Sequence, residues 1–347
     1  MSDKHLPIAV DALGGDHAPH EIVAGVVESQ VPAILVGPEN VLTRLLEESG
    51  SADNVEIVHA DVGIASDDHP VQAYRTKKNA SMFVATRLVK EGKAGGVVSA
   101  GNTGAFMMGA TMMLGRLPEV SRPAAAITIP APTGHVLLLD AGASTDCTSA
   151  DLVNFGVMGS TFSNVIYKVK TPRIGMLSIG EEEMKGSKQA REAHQRLKAS
   201  DLNFIGNVQG SDLASNIADV IVTDGFTGNV ALKSAEGISM LIMEVVKDEI
   251  RIASGIQKAA AWLLLPLFKK IKKRLDWNEY GGGALLGVKG NVVIAHGKSK
   301  KRAISSAIKL ACELAQTDLL NQLETALKEY HIENTESKWD ESGDAKE

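Results

Sequence analysis

Short runs rich in Val, Ile and Leu alternate with longer segments of helical period along most of this chain. IAVDA precedes EIVAGVVES, AILVG precedes NVLTRLLEES, and VEIVHA precedes VQAYRTKKNASMFVATRLVKEG. The apolar runs continue through VVSA, AAITI, VLLLD, IGMLSI, FIGNV, DVIVTD and VVIAHG. Strands that alternate with helices pair mainly in parallel and bury both faces of their sheet. We therefore expect an α/β fold with a mostly parallel sheet covered by helices.

Length and composition narrow the class of protein. With 347 residues, 44% of them hydrophobic, the chain can bury a large core as one α/β domain over residues 1–333, followed by a flexible acidic tail at 334–347. The net charge of −6 argues against nucleic-acid binding. Two cysteines, no apolar signal segment at the N-terminus and no apolar run of ~20 residues predict a cytoplasmic protein without a membrane span.

Glycine-containing turns follow several of the apolar runs. LGGDHAPHE follows IAVDA, STDCTSA follows VLLLDAGA, EEEMKGS follows IGMLSIG, and TGNVALK follows VIVTDGF. In SAGNTGA, residues 99–105, backbone N–H groups and the side chains of Asn102 and Thr103 precede a helix. Helix N-termini attract anions, and parallel sheets bind ligands at the carboxyl ends of their strands. The turns therefore predict an anion-binding site.

Familiar nucleotide-binding motifs are incomplete in this chain. His296 begins the sequence HGKS, which resembles the end of a P-loop, but Val292 stands where the first glycine is required. Gly281 and Gly283 imitate the start of a dinucleotide fingerprint, yet Leu286 replaces the third glycine. A P-loop is excluded, and hydride transfer is a weaker alternative.

Motifs for covalent or metal-dependent hydrolysis are also missing. The sequence has no Gly-x-Ser-x-Gly, His-Glu-x-x-His or Cys-x-x-Cys. His17 and His20 beside Asp16 have the chemistry of metal ligands, but histidines in such a turn more often form loop hydrogen bonds. Cys147 stands at a predicted helix start, where a thiol pKa falls, but no base is evident beside it. We expect no metal, no organic cofactor and no covalent nucleophile.

Cations and amides suited to phosphate follow several strand ends. They are Arg75, Lys77, Lys78 and Ser81 in YRTKKNASM, Asn102 in SAGNTGA, Lys185 in EEEMKGS and Asn229 in DGFTGNV. Each has an ordinary alternative, because helical lysines usually face water and Gly-Asn turns usually only turn the chain. Their common position after strands favours a phosphate site.

Residues 247–277 interrupt the alternation of strands and helices. The segment has no strand signal, and two helices joined around Leu265 and Pro266 fit its pattern. Its apolar residues include Trp262, Leu263, Leu264, Leu267 and Phe268, and its basic residues are Lys258, Lys269, Lys270, Lys272, Lys273 and Arg274. An amphipathic basic hairpin that binds a membrane surface and a helical pair in a dimer interface are both open.

The chain resembles the bacterial phosphate acyltransferases, the PlsX family. The matching stretches are IAVDALGGDHAP, RTKKNASM, SAGNTGA, SRPA, LLLDAGASTDC, EEEMKGS, FIGNVQGSD, VTDGFTGNVALKSAEG, YGGGALLG and AHGKS, in order along nearly the whole chain. Ser144 and Ala80 depart from the family pattern, which has Asn and Ser at these places. The resemblance implies a homodimeric three-layer α/β/α fold related to phosphotransacetylase and isocitrate dehydrogenase, with a protruding amphipathic hairpin.

The resemblance also implies an activity and roles for particular residues. A phosphate oxygen would attack the thioester of an acyl chain carried by acyl carrier protein, giving acyl phosphate for phospholipid synthesis without an acyl-enzyme intermediate. We expect Lys185 to act as an electrostatic clamp and Asn229 as a polarising donor. Asn102, Thr103 and Gly104 would cradle phosphate with help from Arg75 or Lys78, and Asp11, Asp16 and Asp224 would orient these groups.

The implied partners are acyl carrier protein, inorganic phosphate, a second copy of the chain, the membrane surface and a downstream glycerol-3-phosphate acyltransferase. Peripheral membrane binding is expected through Trp262, Leu263, Leu264, Leu267, Phe268 and Lys269. Two alternatives stay open. One is a phosphotransacetylase-like enzyme that uses acyl coenzyme A, and the other is a membrane-associated scaffold of lipid synthesis without catalysis.

Overall fold

The fold is built on one sheet with helices on both faces. The computed structural model of the chain describes residues 6–50, 53–264, 266–268, 270–271 and 281–336. In this part the strands are β1 (Ile8–Asp11), β2 (Ala33–Gly37), β3 (Val55–His59), β4 (Gly96–Ser99), β5 (Ala124–Pro130), β6 (His135–Leu139), β7 (Ile174–Leu177), β8 (Phe204–Val208), β9 (Val220–Val222), β10 (Gly283–Leu286) and β11 (Val292–Ile294). The sheet order is β3-β2-β1-β4-β11-β10-β5-β6-β9-β7-β8.

The helices alternate with these strands over most of the chain. They are α1 (His20–Ser29), α2 (Glu39–Ser49), α3 (Pro70–Thr76), α4 (Ser81–Lys90), α5 (Thr103–Leu114), α6 (Ser149–Tyr167), α7 (Lys188–Lys198), α8 (Gly225–Ile252), α9 (Gly255–Leu263), α10 (Lys301–Gln316) and α11 (Leu319–Glu336). Apolar residues of α1, α2, α6, α7, α10 and α11 form one buried cluster, whereas α4 and α5 pack in another on the opposite face. The predicted three-layer α/β/α architecture is confirmed.

Strand β5 joins two oppositely directed halves of the sheet. Residues 124–126 pair antiparallel with β10, and residues 127–130 pair antiparallel with β6. The other strand pairs among the described residues are parallel, apart from β10 with β11. The predicted mostly parallel sheet is therefore confirmed, but β6, β7, β8 and β9 run opposite to β1, β2, β3 and β4.

The offset along β5 brings the carboxyl ends of the two halves to a similar height. The end of β6 lies beside Ala125, because the Ala125 N–H donates to Asp140 Oδ1 over 2.9 Å. The next residue of β5, Ala126, pairs with Ala284 of β10. Ala284 in turn pairs with Val293 of β11, and Val293 pairs with Val98 of β4. The turns after β1, β4 and β11 thus lie at a similar height to the turns after β6, β7 and β9, and we refer to the space between the two sets of turns as the cleft.

Of three expectations about helices, two are wrong in detail and one falls on residues outside the described part. The single helix expected between Ala73 and Lys90 is broken, because Ala80 bridges to Val62 and the Ser81 N–H donates to the Val62 carbonyl. In the segment 247–277, α8 ends at Ile252 and α9 ends at Leu263. The expected junction around Leu265 and Pro266 stays a prediction, because Leu265 lies outside the described residues.

The acidic tail was expected to begin at residue 334. Helix α11 continues to Glu336, so residues 334–336 are helical rather than part of a tail, and residues 337–347 lie outside the described part.

The lengths and compositions of the helices bear on whether the chain can span a membrane. Each helix in the described part of the chain is too short or too polar to cross a bilayer.

Candidate functional site

Asp11 supports the first wall of the cleft from beneath. Its carboxylate accepts hydrogen bonds from Ser81 Oγ at 2.5 Å and Ser99 Oγ at 2.6 Å, which ties β1 to α4 and β4. Burial raises the pKa of this carboxyl, while the hydrogen bonds from both serines oppose that shift. A Cβ at Gly14 would lie 2.4 Å from Asp11 Oδ2, so only glycine fits the turn above it. Asp11 is buried and links the turn after β1 to its neighbours through these hydrogen bonds.

Asn102 has structural contacts that were not predicted. Its Oδ1 caps α5 by accepting from the Ala105 N–H at 3.0 Å. Its Nδ2 donates to the carbonyls of Ala65, Ser66 and Asp68 at 2.9–3.2 Å. The amide hydrogens that were expected to hold phosphate are therefore used to hold the loop at 65–68. Thr103 and Gly104 open the helix, and Thr103 is exposed, so these two residues offer the helix N-terminus to an anion.

The basic residues between α3 and α4 divide into a paired and an exposed group. Lys77 forms an ion pair with Asp68, and this contact holds the pKa of the Asp68 carboxyl below its ordinary value. Arg75 and Lys78 are exposed, and the Lys78 carbonyl accepts from Arg87. Arg75 and Lys78 are therefore accessible to an anion, but no described contact fixes their side chains in the cleft.

The turn after β11 meets helix α8 across the cleft. The Asp16 N–H donates to the Gly297 carbonyl at 2.8 Å, which joins the turns after β1 and β11. Burial and the charge of Lys233 on α8 lower the pKa of His296, while the carboxylates of Glu236 and Asp16 act in the opposite direction. Residues of both halves of the sheet therefore share one electrostatic environment.

Asp140 organises the second wall. Its buried carboxylate accepts from the backbone N–H groups of Ala125, Gly142, Ala143 and Ser144 at 2.6–2.9 Å. These bonds fold the turn after β6 into a compact loop. Burial raises the pKa of the Asp140 carboxyl, and the four N–H donors oppose that rise.

Asn229 lies directly against this loop. Its Nδ2 is 2.7 Å from the position that a Cβ on Gly142 would take. Asp224 caps α8, because its carboxylate accepts from the Thr227 N–H at 2.9 Å and from the Thr227 hydroxyl at 2.7 Å. Asp224 therefore caps the helix that carries Asn229, and its role in the site stays a prediction.

Lys185 lies in the exposed turn between β7 and α7. Strand β7 pairs with β9 in parallel, with Met176 opposite Val222, so this turn and the α8 N-terminus leave adjacent strands at the same edge. The Lys185 N–H donates to the Glu182 carbonyl at 2.9 Å, and the stem of its side chain lies close to Gly180. The structure thus brings the turn that carries Lys185 and the start of α8, which carries Asn229, to the same edge of the sheet.

Asp140 was not among the residues predicted for the site. A usable signal was present, because LLLDAGA repeats the pattern of IAVDALG, an aspartate directly after an apolar strand and before a small-residue turn. In both cases the carboxylate collects the N–H or O–H groups of the turn.

The structure accounts for Cys147 by its half-buried position and for Gly281 by its packing. Burial and the charge of Asp140 raise the pKa of the Cys147 thiol to about 12, which removes it as a ready nucleophile. Within the described residues no group of three His, Cys, Asp or Glu side chains has the arrangement of a metal site. A Cβ at Gly281 would lie 2.2 Å from the backbone nitrogen of Ala307, so this glycine serves close packing against α10.

The residues predicted to meet a membrane lie on exposed helical segments. Trp262 and Leu263 end α9 with about 70% of each side chain exposed, and Leu264 and Leu267 are also exposed. Phe268 is half-buried, and Lys269 lies outside the described residues.

Comparison with known proteins agrees with this geometry. Residues 6–322 match the model of a family described as "Fatty acid synthesis protein". A phosphate acyltransferase of Acidobacterium capsulatum is 46% identical over 91% of this chain and 96% of its own length. A phosphate acyltransferase of Thermoanaerobacter pseudethanolicus is 41% identical over 93% of this chain and 98% of its own length.

A phosphotransacetylase from Streptococcus pyogenes has the same fold, with a TM-score of 0.59 and 18% identity, over 90% of this chain and 94% of its own. The predicted relation to the phosphotransacetylase fold is thereby confirmed. Both the family match and the two curated relatives span most of the chain. The chain belongs to the phosphate acyltransferase family of fatty acid synthesis proteins and is a transferase.

Proposed function

We propose that this protein transfers a fatty acyl group from acyl carrier protein to inorganic phosphate and so provides acyl phosphate for phospholipid synthesis. The observation that carries the proposal is the cleft itself. Lys185 and Asn229 stand after adjacent strands on one side, and the N-terminus of α5 opens on the other side. A cation, an amide donor and helix N–H groups suit phosphate and a developing oxyanion.

In the proposed reaction a phosphate oxygen attacks the thioester carbonyl carbon. The new C–O bond forms as the C–S bond breaks, and the phosphate proton ends on the departing thiolate of the carrier. Asn229 Nδ2 donates to the carbonyl oxygen as it gains charge, and the Lys185 ammonium neutralises the phosphate. The N–H groups at Thr103 and Gly104 hold the phosphate in line. Because phosphate is itself the nucleophile, no side chain has to form a covalent intermediate.

The donor is tested by supplying phosphate with either acyl carrier protein thioester or acyl coenzyme A and measuring acyl phosphate. We expect turnover with the carrier-bound chain. Turnover with acyl coenzyme A alone would overturn the proposal in favour of a phosphotransacetylase-like enzyme, and an inactive protein would favour a scaffold.

The site assignment is tested by Lys185→Ala and Asn229→Ala. Each variant should lower kcat by about 100-fold, because each removes a group that stabilises charge in the transition state. Lys188→Ala is a matched control, since Lys188 begins the helix after the same turn and faces the exposed Glu192. A Lys185→Ala protein with full activity would overturn the assignment.

We also propose that the product is released at a membrane surface. Trp262, Leu263, Leu264 and Leu267 are exposed apolar side chains, and Lys258 and Lys270 are exposed nearby. Apolar and basic residues on one helical segment suit an anionic bilayer. Such a location would suit delivery of acyl phosphate to a glycerol-3-phosphate acyltransferase in the same membrane.

A homodimer would account for the exposed apolar residues of α8. Its buried residues are Gly225, Gly228 and Leu232, all near its start, whereas Ile238, Leu241 and Val245 are more than half exposed. We expect light scattering after gel filtration to give a dimer mass, and Leu241→Glu to give a monomer. A monomeric wild-type protein would overturn this part of the proposal.

A further inference from the structure

The turn that carries Lys185 is held from beneath by two buried polar side chains that the proposed reaction does not use. His194 on α7 and Asn207 on β8 are 3% and 9% exposed. His194 Nδ1 lies 2.8 Å from Asn207 Oδ1, and Asn207 Nδ2 donates to the Glu182 carbonyl at 2.8 Å. A buried polar pair of this kind must be fully hydrogen-bonded to be tolerated.

The same carbonyl oxygen connects this pair to Lys185. Glu182 O accepts from Asn207 Nδ2 and also from the Lys185 backbone N–H at 2.9 Å. One oxygen atom therefore joins the buried pair to the residue that carries the ammonium group. Other contacts of the turn lie at the surface, namely Lys198 with Glu183 and Gln209 with Glu181.

The hydrogen bonds fix the orientation of both side chains. Asn207 must present its NH₂ group to the Glu182 carbonyl, so its oxygen faces His194. His194 Nδ1 must then carry a proton and donate to that oxygen. The ring is further held edge-on against Phe204, with the ring centroids 4.9 Å apart. The chain of donors runs from His194 through Asn207 to the turn.

We infer that Asn207 and His194 are positioning residues that set the place of the Lys185 ammonium group in the cleft. The inference rests on the proposed function, because it gives the pair a role through Lys185. Small displacements of a charge-stabilising group lower a rate strongly, by up to about 100-fold. Exposed contacts such as Lys198 with Glu183 contribute little and are screened by water.

Kinetics with the full-length protein test the inference. Asn207→Ala should lower kcat for acyl phosphate formation by at least about 10-fold. In a Lys185→Ala background the same change should lower the residual rate by less than about twofold, because the group that it positions is gone. Lys198→Met, which breaks an exposed contact of the same turn, should keep the wild-type kcat. Wild-type kcat in Asn207→Ala, or equal losses in both backgrounds, would overturn the inference.

A matched pair at His194 separates positioning from general damage to the core. His194→Asn places an amide donor near the position of Nδ1 and should restore most of the activity that His194→Leu loses. Equal activity of the two variants would overturn the inference. This pair also serves if Asn207→Ala fails to fold.

Amide hydrogen exchange gives a measurement that does not depend on turnover. In Asn207→Ala, residues 181–186 should exchange faster while α7 and β8 stay protected. An unchanged exchange rate in the turn would overturn the inference, whereas an inactive wild-type protein with this exchange pattern would overturn the proposed function alone.

Discussion

The side-chain nitrogen of Asn229 lies 2.7 Å from the position that a Cβ atom on Gly142 would occupy. Gly142 also has a φ of 135°, which residues with a side chain rarely adopt. Gly142→Ala should therefore displace Asn229 and lower kcat by at least about 10-fold in the acyl phosphate assay. Gly134→Ala is the control, since Gly134 shares a positive φ but has open space where a Cβ would stand. Wild-type kcat in Gly142→Ala would contradict the assigned role of Asn229.

Asn102 combines a helix cap with a clamp on the loop at 65–68, and two substitutions separate these parts. Asn102→Ala removes both and should lower the free energy of unfolding by about 1–2 kcal/mol, as measured in urea. Asn102→Asp keeps an acceptor for the Ala105 N–H but loses the donors, so its stability should be intermediate. Equal stability of Asn102→Asp and the wild type would mean that the clamp contributes nothing.

The Cys147 thiol should be unreactive in the folded protein. Its pKa is raised to about 12 because the side chain is half-buried and close to Asp140, so thiolate is scarce near neutral pH. We expect no alkylation of Cys147 by iodoacetamide at pH 8 until the protein is unfolded in urea, as measured by mass spectrometry. Cys147→Ser should keep the wild-type kcat. A folded but inactive Cys147→Ser protein would restore the nucleophile hypothesis.

The pair of Arg173 and Asp219 should make part of the stability depend on pH. Burial opposes ionisation of Asp219, but hydrogen bonds from the Arg173 side chain and backbone outweigh it and hold the pKa below its ordinary value of 3.8. A carboxyl group whose pKa is lower in the folded protein than in the unfolded chain stabilises the fold at pH values above its ordinary pKa. This stabilisation is lost as the pH falls through the lowered pKa.

Arg173→Met should therefore reduce the free energy of unfolding at pH 7 by up to about 1 kcal/mol, and the difference from the wild type should shrink below pH 3.8. Urea unfolding at several pH values measures it. Arg44→Met, which breaks an exposed pair with Glu48, should show no such pH dependence. A constant difference at all pH values would contradict the role of the ion pair.

Liposome flotation tests the exposed apolar segment around α9. The wild-type protein should float with anionic vesicles, and the double variant Leu264→Glu with Phe268→Glu should stay in the dense fraction, because two carboxylates oppose insertion and face anionic lipid. Met112→Glu places a charge on an exposed apolar residue of α5 and should float like the wild type. Flotation of the double variant to the same extent as the wild type would contradict the membrane proposal.

The local sequence pattern predicted most strands of the sheet. It did not predict the features that depend on contacts between residues distant in the chain. The predicted apolar runs correspond to the strands of the described part except β10. Strand β10, with the sequence GALL, was not predicted because the run of three glycines at its start resembles a turn. Gly282 is needed there because a Cβ atom at this position would lie 2.2 Å from the Ile294 carbonyl oxygen. The reversal of direction between the two halves was also not predicted, because it depends on the partners of β5 rather than on its own period.

The candidate site was predictable to the extent that its residues follow strands directly. Lys185 and Asn229 could be singled out because turns after parallel strands meet at one edge, whereas Asp224 was named only through the family resemblance. The contacts of Asn102 could not be predicted, since the loop that it holds lies more than thirty residues earlier in the chain. The contact between His194 and Asn207 likewise joins a helix to the following edge strand, and no spacing rule predicts it.

Strand β5 belongs to both halves of the sheet without interruption. The two sets of turns are therefore linked by seven residues of a single hydrogen-bonded backbone, which span about 23 Å. A hinge between rigid lobes would need a flexible crossing, whereas this crossing is fixed on both sides by its neighbours. The relative placement of the two sets of turns is accordingly fixed by the main chain, and adaptation to a bulkier substrate would have to come from the side chains and turns themselves.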